Sequence, residues 1–174
     1  MKKVLIVIAA CCLIFILLWL FWGGKAYRNS SEGMAPTILK GEKIIVDKRY
    51  YKTNTPRLGD VIVFDYPTDP NKTWIKRVIA IENENIESKN KTIYVNGQPV
   101  SESYVQYSDP TMTSSKDNFG PLTVPKDSVF VMGDNRDRSI DSRDFGFIQT
   151  AAIRGKAQYI YKSDDKNRIG MEIK

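Results

Sequence analysis

Residues Val4 to Trp22 carry no charge and no strongly polar side chain, and this one run divides the chain. At ~1.5 Å per residue it makes about 28 Å of helix, enough to cross a hydrocarbon core of roughly 30 Å. Trp19, Phe21 and Trp22 cluster at its far end, where amphipathic rings prefer the headgroup level. A cleavable signal peptide fits less well. The run exceeds the usual apolar region of such a peptide, and no small-x-small pattern follows Leu20-Phe21-Trp22. The sequence therefore predicts a cytoplasmic tip over 1–3, a transmembrane anchor over 4–22 and one extracytoplasmic domain over 23–174. Lys2 and Lys3 favour a cytoplasmic amino terminus. Lys25 and Arg28 weaken that bias, but a long carboxy-terminal domain crosses largely regardless of its charge.

The side chains that are missing narrow the chemistry. The 174 residues include no histidine, so neither a Ser-His-Asp nor a Cys-His site can be built, nor a His-ligated metal centre. The two cysteines, Cys11 and Cys12, lie inside the apolar run and leave the outer domain without a thiol. Disulfide, Cys-zinc and thiol-nucleophile readings fall together, and no metal or cofactor is expected. The chain has 26 Lys+Arg against 20 Asp+Glu. The excess is scattered, which suits a solvated surface with mild attraction to anionic lipid headgroups. Basic clusters with interleaved aromatics are missing, so nucleic acid is not expected as a partner.

Past the anchor, β-branched and aromatic runs recur between turn signals: 43–46, 60–64, 75–81, 92–95, 129–132 and 157–161. Asn96-Gly97 after Ile93-Tyr94-Val95 is a hairpin turn, since both positions tolerate positive φ. No long stretch shows helical periodicity. The expected class is mostly β, an antiparallel domain that is barrel-like or made of two packed sheets. Gly23-Gly24-Lys25 reads as a short flexible exit from the membrane. Ser101 to Pro125, rich in Ser, Thr, Asp and Pro, reads as a loop or small cap, within an insertion over about 82–126.

Lys76 stands among Trp74, Ile75, Val78 and Ile79. An amine in such a setting loses solvation, its ammonium form is disfavoured, and it becomes a base near neutrality. The same local sequence also fits a strand lysine pointing to water. The segment from Gly133 to Arg143 reads Gly-Asp-Asn-Arg-Asp-Arg-Ser-Ile-Asp-Ser-Arg. Its glycine suits a turn costly for other residues, and its alternating charges equally suit a surface loop with ordinary salt bridges.

Three blocks in this order, Gly33-Met34-Ala35-Pro36-Thr37, Trp74-Ile75-Lys76-Arg77-Val78 and Gly133 to Arg143, resemble the bacterial type I signal peptidases. These are membrane-anchored enzymes that cleave with a serine nucleophile and a lysine base. The resemblance implies the family's mostly antiparallel β fold. It makes Lys76 the general base and Ser139 the hydroxyl that holds its amine in aim. Arg77 is then paired with Asp134, and Asp141 with Arg143, as rigid support. Ser31 matches a serine that helps the oxyanion hole in some members. Met34 matches a residue lining the substrate pocket and membrane side, beside Pro36, although ordinary apolar packing explains it equally. Glu42 and Asp47-Lys48 depart from the family's usual residues.

The nucleophile position departs furthest: the family has serine where this chain has Gly33. Ser30 and Ser31 do not replace it, because two residues along an extended chain move a hydroxyl by ~6–7 Å. Three explanations stay open: a natural inactive homologue, a variant with its nucleophile removed, or a hydrolase using other chemistry. The function implied is a membrane-anchored, cleavage-deficient relative that binds exported or pilin-type precursors and assists secretion or pilus and surface-structure assembly. Signal-peptidase-like proteins lacking active-site residues occur in such pilus systems, though those tend to lose the lysine as well. The alternative is a working signal peptidase. Either would take the precursor as an added strand along a groove.

Overall fold

The computed structural model describes residue 11, residues 24–112 and residues 114–174. The tip expected over 1–3 and the anchor expected over Val4 to Trp22 lie outside the described residues, apart from Cys11. Among the described residues no helix is long and apolar enough to cross a membrane.

Eleven named strands form two antiparallel sheets. The larger has seven strands: β1 (Gly24–Arg28), β2 (Lys43–Asp47), β3 (Val61–Tyr66), β4 (Asp69–Ile81), β9 (Ser128–Met132), β10 (Ile148–Gln149) and β11 (Ile153–Lys162). Their spatial order is β1-β2-β11-β3-β4-β9-β10. The smaller sheet holds β5 (Asn85–Lys89), β6 (Thr92–Val95), β7 (Gln98–Pro99) and β8 (Phe119–Thr123), in the order β7-β6-β5-β8. Two one-turn helices, α1 (Tyr50–Thr53) and α2 (Ser142–Phe145), sit between strands. The mostly β, two-sheet class expected from the sequence is what forms.

The central strands form where the β-branched runs are. Val61 to Phe64 of β3 and Ser128 to Met132 of β9 are buried throughout, because both faces of the large sheet are covered. One core gathers Ile38, Ile44, Val46, Val63 and Ile160; a second lies under the small sheet around Ile79, Ile86, Ile93 and Phe130. A third packs Ile62, Phe64 and Val131 beneath Phe145 of α2. Asn96 and Gly97 both take positive φ, 51° and 77°, as the hairpin reading requires.

Two expectations need correcting. Gly24 and Lys25 are not a flexible exit: they belong to β1, opposite Asp47 and Val46 of β2. Pairing with β2 recruits a segment whose own composition carries no strand signal. Ser101 to Pro125 is not all loop. It contains a 3-10 turn at Ser115–Asp117 and then β8, which pairs with β5 through Asn85–Thr123 and Ile86–Leu122. Pro121 is tolerated there because β8 lies at the sheet edge.

The arrangement brings distant segments together. β4 pairs with β3 through Ile62–Lys76 and Val61–Arg77, and with β9 through Arg77–Met132. Lys76 and Arg77, adjacent on a strand, point to opposite faces. The chain leaving β9 at Met132 runs directly into Gly133 and Asp134, beside both.

Candidate active site

Gly33 lies buried in the turn between β1 and β2, and its carbonyl accepts the Asn135 N–H at 3.1 Å. A Cβ built on Gly33 would stand 3.1 Å from Lys76 Nζ and 3.5 Å from both the Arg138 carbonyl oxygen and Ser139 Oγ. All three sequence blocks therefore meet at one backbone position. Gly133 makes the meeting possible for a different reason from the turn conformation its sequence context suggests. Its φ is not in the left-handed region, but a Cβ there would stand 2.3 Å from both the Gly33 carbonyl oxygen and Ser139 Oγ. Close approach demands the glycine.

Lys76 is 4% exposed, with Nζ 5.6 Å from the centre of the Trp74 ring. Burial lowers its pKa to about 8. Asp141 and Asp134 pull it back upward and Arg143 pushes it down, but desolvation dominates. The alternative of a solvent-facing strand lysine does not describe it. Such an amine is about one-tenth neutral at pH 7, against about one part in 3,000 for an unburied lysine.

Behind it stand two buried charge pairs. Arg77 grips Asp134 with two bonds, Nε to Oδ1 at 2.8 Å and Nη2 to Oδ2 at 2.7 Å. Nη1 donates to the Gly59 carbonyl at 2.8 Å, and the guanidinium lies 3.8 Å from the Tyr104 ring centre. Thr37 Oγ1 donates to Asp134 Oδ2 at 2.5 Å, which ties the first block to the last. Asp141 accepts Arg143 Nε and Nη2, each at 2.8 Å, and the Gly133 N–H at 3.1 Å. It also caps α2, with Asp144 returning the capping-box bond. Burial pushes the Asp141 carboxyl up, but the bonds from Arg143, Gly133 and Ser139 outweigh it, and the group stays below its ordinary range. Ser139 is 5% exposed, and its hydroxyl also donates to the Ile140 carbonyl at 3.4 Å.

The remaining residues read from the sequence fall on either side. Ser31 is exposed and lines a cleft of about 410 Å³ beside Lys76, walled also by Trp74, Ile75 and Ile140. Met34 is fully buried with Ile38 and Ile44, so of its two readings core packing describes it, not a pocket or membrane surface. Pro36 is exposed, and its carbonyl accepts Arg168 Nη2 at 3.1 Å. Glu42 accepts hydrogen bonds from the Leu39 N–H, Ser163 and Arg168.

Sequence reasoning missed a clamp on the last block. Arg136 donates to both carboxylate oxygens of Glu102, at 2.5 and 2.9 Å, and to the Gly133 carbonyl at 3.0 Å. Backbone bonds join Gln106 to Asp134 and Arg136. No local signal marks Glu102; only Arg136 stood out, within the motif. Among the described residues no cluster of Cys, Asp and Glu could hold a metal ion.

Taken together, a desolvated amine near neutrality faces a backbone position from which a side-chain hydroxyl would reach it. Residue 33 supplies no such hydroxyl. Residues 1–162 match the family described as signal peptidase, peptidase S26. The chain is similar to a signal peptidase I of Leptolyngbya laminosa, 38% identical over 148 residues covering 80% of this chain and 68% of the relative. A signal peptidase IB of Staphylococcus aureus is 33% identical over 174 residues, 91% of this chain and 89% of that one. The crystal structure of a signal peptidase I from Enterococcus faecalis superposes with a TM-score of 0.52 at 33% identity, covering 59% of this chain and 97% of that one.

Proposed function

Since the chain belongs to the signal peptidase family of peptidase S26, we propose that it holds the signal-peptide region of exported precursors beside Lys76 without cutting them. One observation carries the reading: the backbone position within reach of Lys76 Nζ is a glycine. Acyl-enzyme chemistry needs a nucleophile there, and none is attached. The groove, its buried supports and its base do not depend on that hydroxyl, so binding survives its loss.

The roles follow the family. Lys76 occupies the general-base position, Gly33 that of the nucleophile, and Ser139 steadies the lysine. Ser31 faces the cleft as an oxyanion donor, and the Arg77–Asp134 and Asp141–Arg143 pairs hold the frame. Residues 4–22 anchor the chain in the cell membrane in a single pass, with 23–174 outside. Its service is to secretion or to the assembly of pilin-type surface structures.

A second reading has a physical point in its favour. Keeping Lys76 desolvated with a pKa near 8 costs about 3 kcal/mol at neutral pH. A cost of that size suits a lysine still used, as in a peptidase that activates water directly and slowly.

Site-specific cross-linking separates precursor binding from other roles. A photo-reactive residue placed at Ile140, on the cleft wall, is expected to capture a secreted precursor through its signal-peptide region. Capture only from a probe at Ala151, on a different cleft, would refute the reading.

A further inference from the structure

The wall of the cleft beside Lys76 is cationic without being balanced. Arg28, Lys72, Lys76 and Arg138 line it, and among the described residues no acidic side chain does. Lys72 shares its charge with Asp69 at 2.9 Å. Arg28 and Arg138 are exposed and form no ion pair among the described residues. Five other arginines, Arg77, Arg136, Arg143, Arg154 and Arg168, each engage a carboxylate. Two exposed arginines left without a carboxylate in a single cleft give it a positive field that a bound partner can neutralise.

Resting on the precursor-binding reading, we propose that this cleft selects precursors carrying an acidic side chain within a few residues of the segment that faces Gly33. A peptide is favoured over a lipid headgroup by the apolar surface that shares the cleft with the cations. Trp74, Ile75 and the 55%-exposed Ile140 line the same cleft, and they offer contact to side chains flanking a carboxylate. The neighbouring strand adds a second reason. β1 leads directly into the lining segment Arg28 to Ser31 and, among the described residues, has a strand partner only in β2. Its outer edge can receive an extended chain. A carboxylate entering there meets a guanidinium, to which it can bind through two oxygens. The selection acts on the substrate and adds nothing to the chemistry at residue 33.

The test uses the full chain in nanodiscs of neutral phosphatidylcholine. Peptides spanning a small-residue cleavage region are compared in sets that differ by a single Asp→Asn exchange, and binding is read by the anisotropy of an uncharged dye. The Asp peptides are expected to bind about three- to tenfold more tightly at 50 mM salt, with the difference shrinking at 0.5 M. The double variant Arg28→Gln/Arg138→Gln is expected to remove the difference while still binding the Asn peptides. Equal binding of both sets by the unaltered chain would overturn the acidic preference and leave precursor binding intact. Binding of neither set would overturn both. A preference that persists in the double variant would overturn the assignment to these two arginines. Cation-dependent binding to phosphatidylglycerol nanodiscs, without discrimination among peptides, would assign the arginines to lipid instead.

Discussion

Gly33→Ser should turn this chain into a peptidase, and the structure sets the scale of the gain. Residue 33 has a φ that side chains accept, so the serine adds no backbone strain. Its Cβ enters 3.1 Å from Lys76 Nζ and 3.5 Å from Ser139 Oγ. The first distance is tight by a few tenths of an ångström, which the end of a flexible lysine absorbs. The hydroxyl, one bond further out, then falls within hydrogen-bond reach of the amine. General-base assistance is worth about 10²–10⁴ in rate, and loss of the nucleophile in another serine hydrolase costs about 10⁶. A gain of at least about 10³ over the unaltered chain is therefore expected. With a lysine pKa of about 8, the neutral fraction rises from about one-tenth at pH 7 to about nine-tenths at pH 9, and the rate should rise roughly tenfold over that interval. The assay is cleavage of a preprotein with a known site, followed by mass spectrometry from pH 6 to 10, with Gly33→Ser/Lys76→Ala as control. A folded Gly33→Ser chain that cross-links precursor yet never cuts it would refute the reasoning. Activity still climbing as steeply above pH 10 would show that the lysine is not desolvated.

Lys76→Met should stabilise the domain by about 2–3 kcal/mol at pH 7, because the folded lysine is still mostly charged there and its buried ammonium carries a desolvation cost that methionine does not. The sign follows from the lowered folded pKa: between about pH 8 and 10.5 the unfolded state binds more protons, so stability of the unaltered chain rises with pH. Thermal melts at pH 7 and 9.5 check this; parallel shifts in chain and variant would contradict it. Asp134→Ala should cost about 3–5 kcal/mol, seen as a drop in Tm of roughly 6–20 °C, since Arg77 is left buried without its carboxylate. Gly133→Ala should lower stability by about 1–3 kcal/mol or more, its methyl colliding with the Gly33 carbonyl and the Ser139 hydroxyl. An alanine variant that melts with the unaltered chain would show that the three blocks do not meet as described. Asp141→Asn should remove a stabilising contribution that is present at neutral pH and lost as pH falls through the folded pKa, below the ordinary carboxylate range. Urea titrations at pH 3 and pH 6 read it directly.

The legible part of this fold is its interior. Val61 to Phe64, Val78 to Ile81 and Val129 to Met132 are unbroken apolar runs, and strands covered on both faces need such runs. What escaped were edges and polar strands. β1 is Gly-Lys-Ala-Tyr-Arg and β5 is Asn-Ile-Glu-Ser-Lys; their partners supply the order through backbone bonds that composition does not encode. β8 contains a proline, tolerated because the strand lies outermost, and Gly120, whose positive φ and close approach to the Ile86 carbonyl call for a glycine. The site divides in the same way. Lys76, Arg77, Asp134, Ser139, Asp141 and Arg143 were legible because they sit within dense motifs. Glu102 and Tyr104 were not, since each acts on a residue at least 27 positions away and stands in unremarkable local sequence. Gly133 was singled out for the wrong reason, a turn, when close approach of two backbones is what fixes it.

The most direct test of the central claim needs no variant to begin. The full chain in lipid is incubated overnight with an equimolar precursor of known cleavage site, at pH 8.5, and the intact masses of everything that co-purifies are measured. Binding without cutting gives the uncleaved precursor alone, retained with the chain. A mature product cut at the expected site, and lost in Lys76→Ala, would show that a nucleophile other than residue 33 is at work.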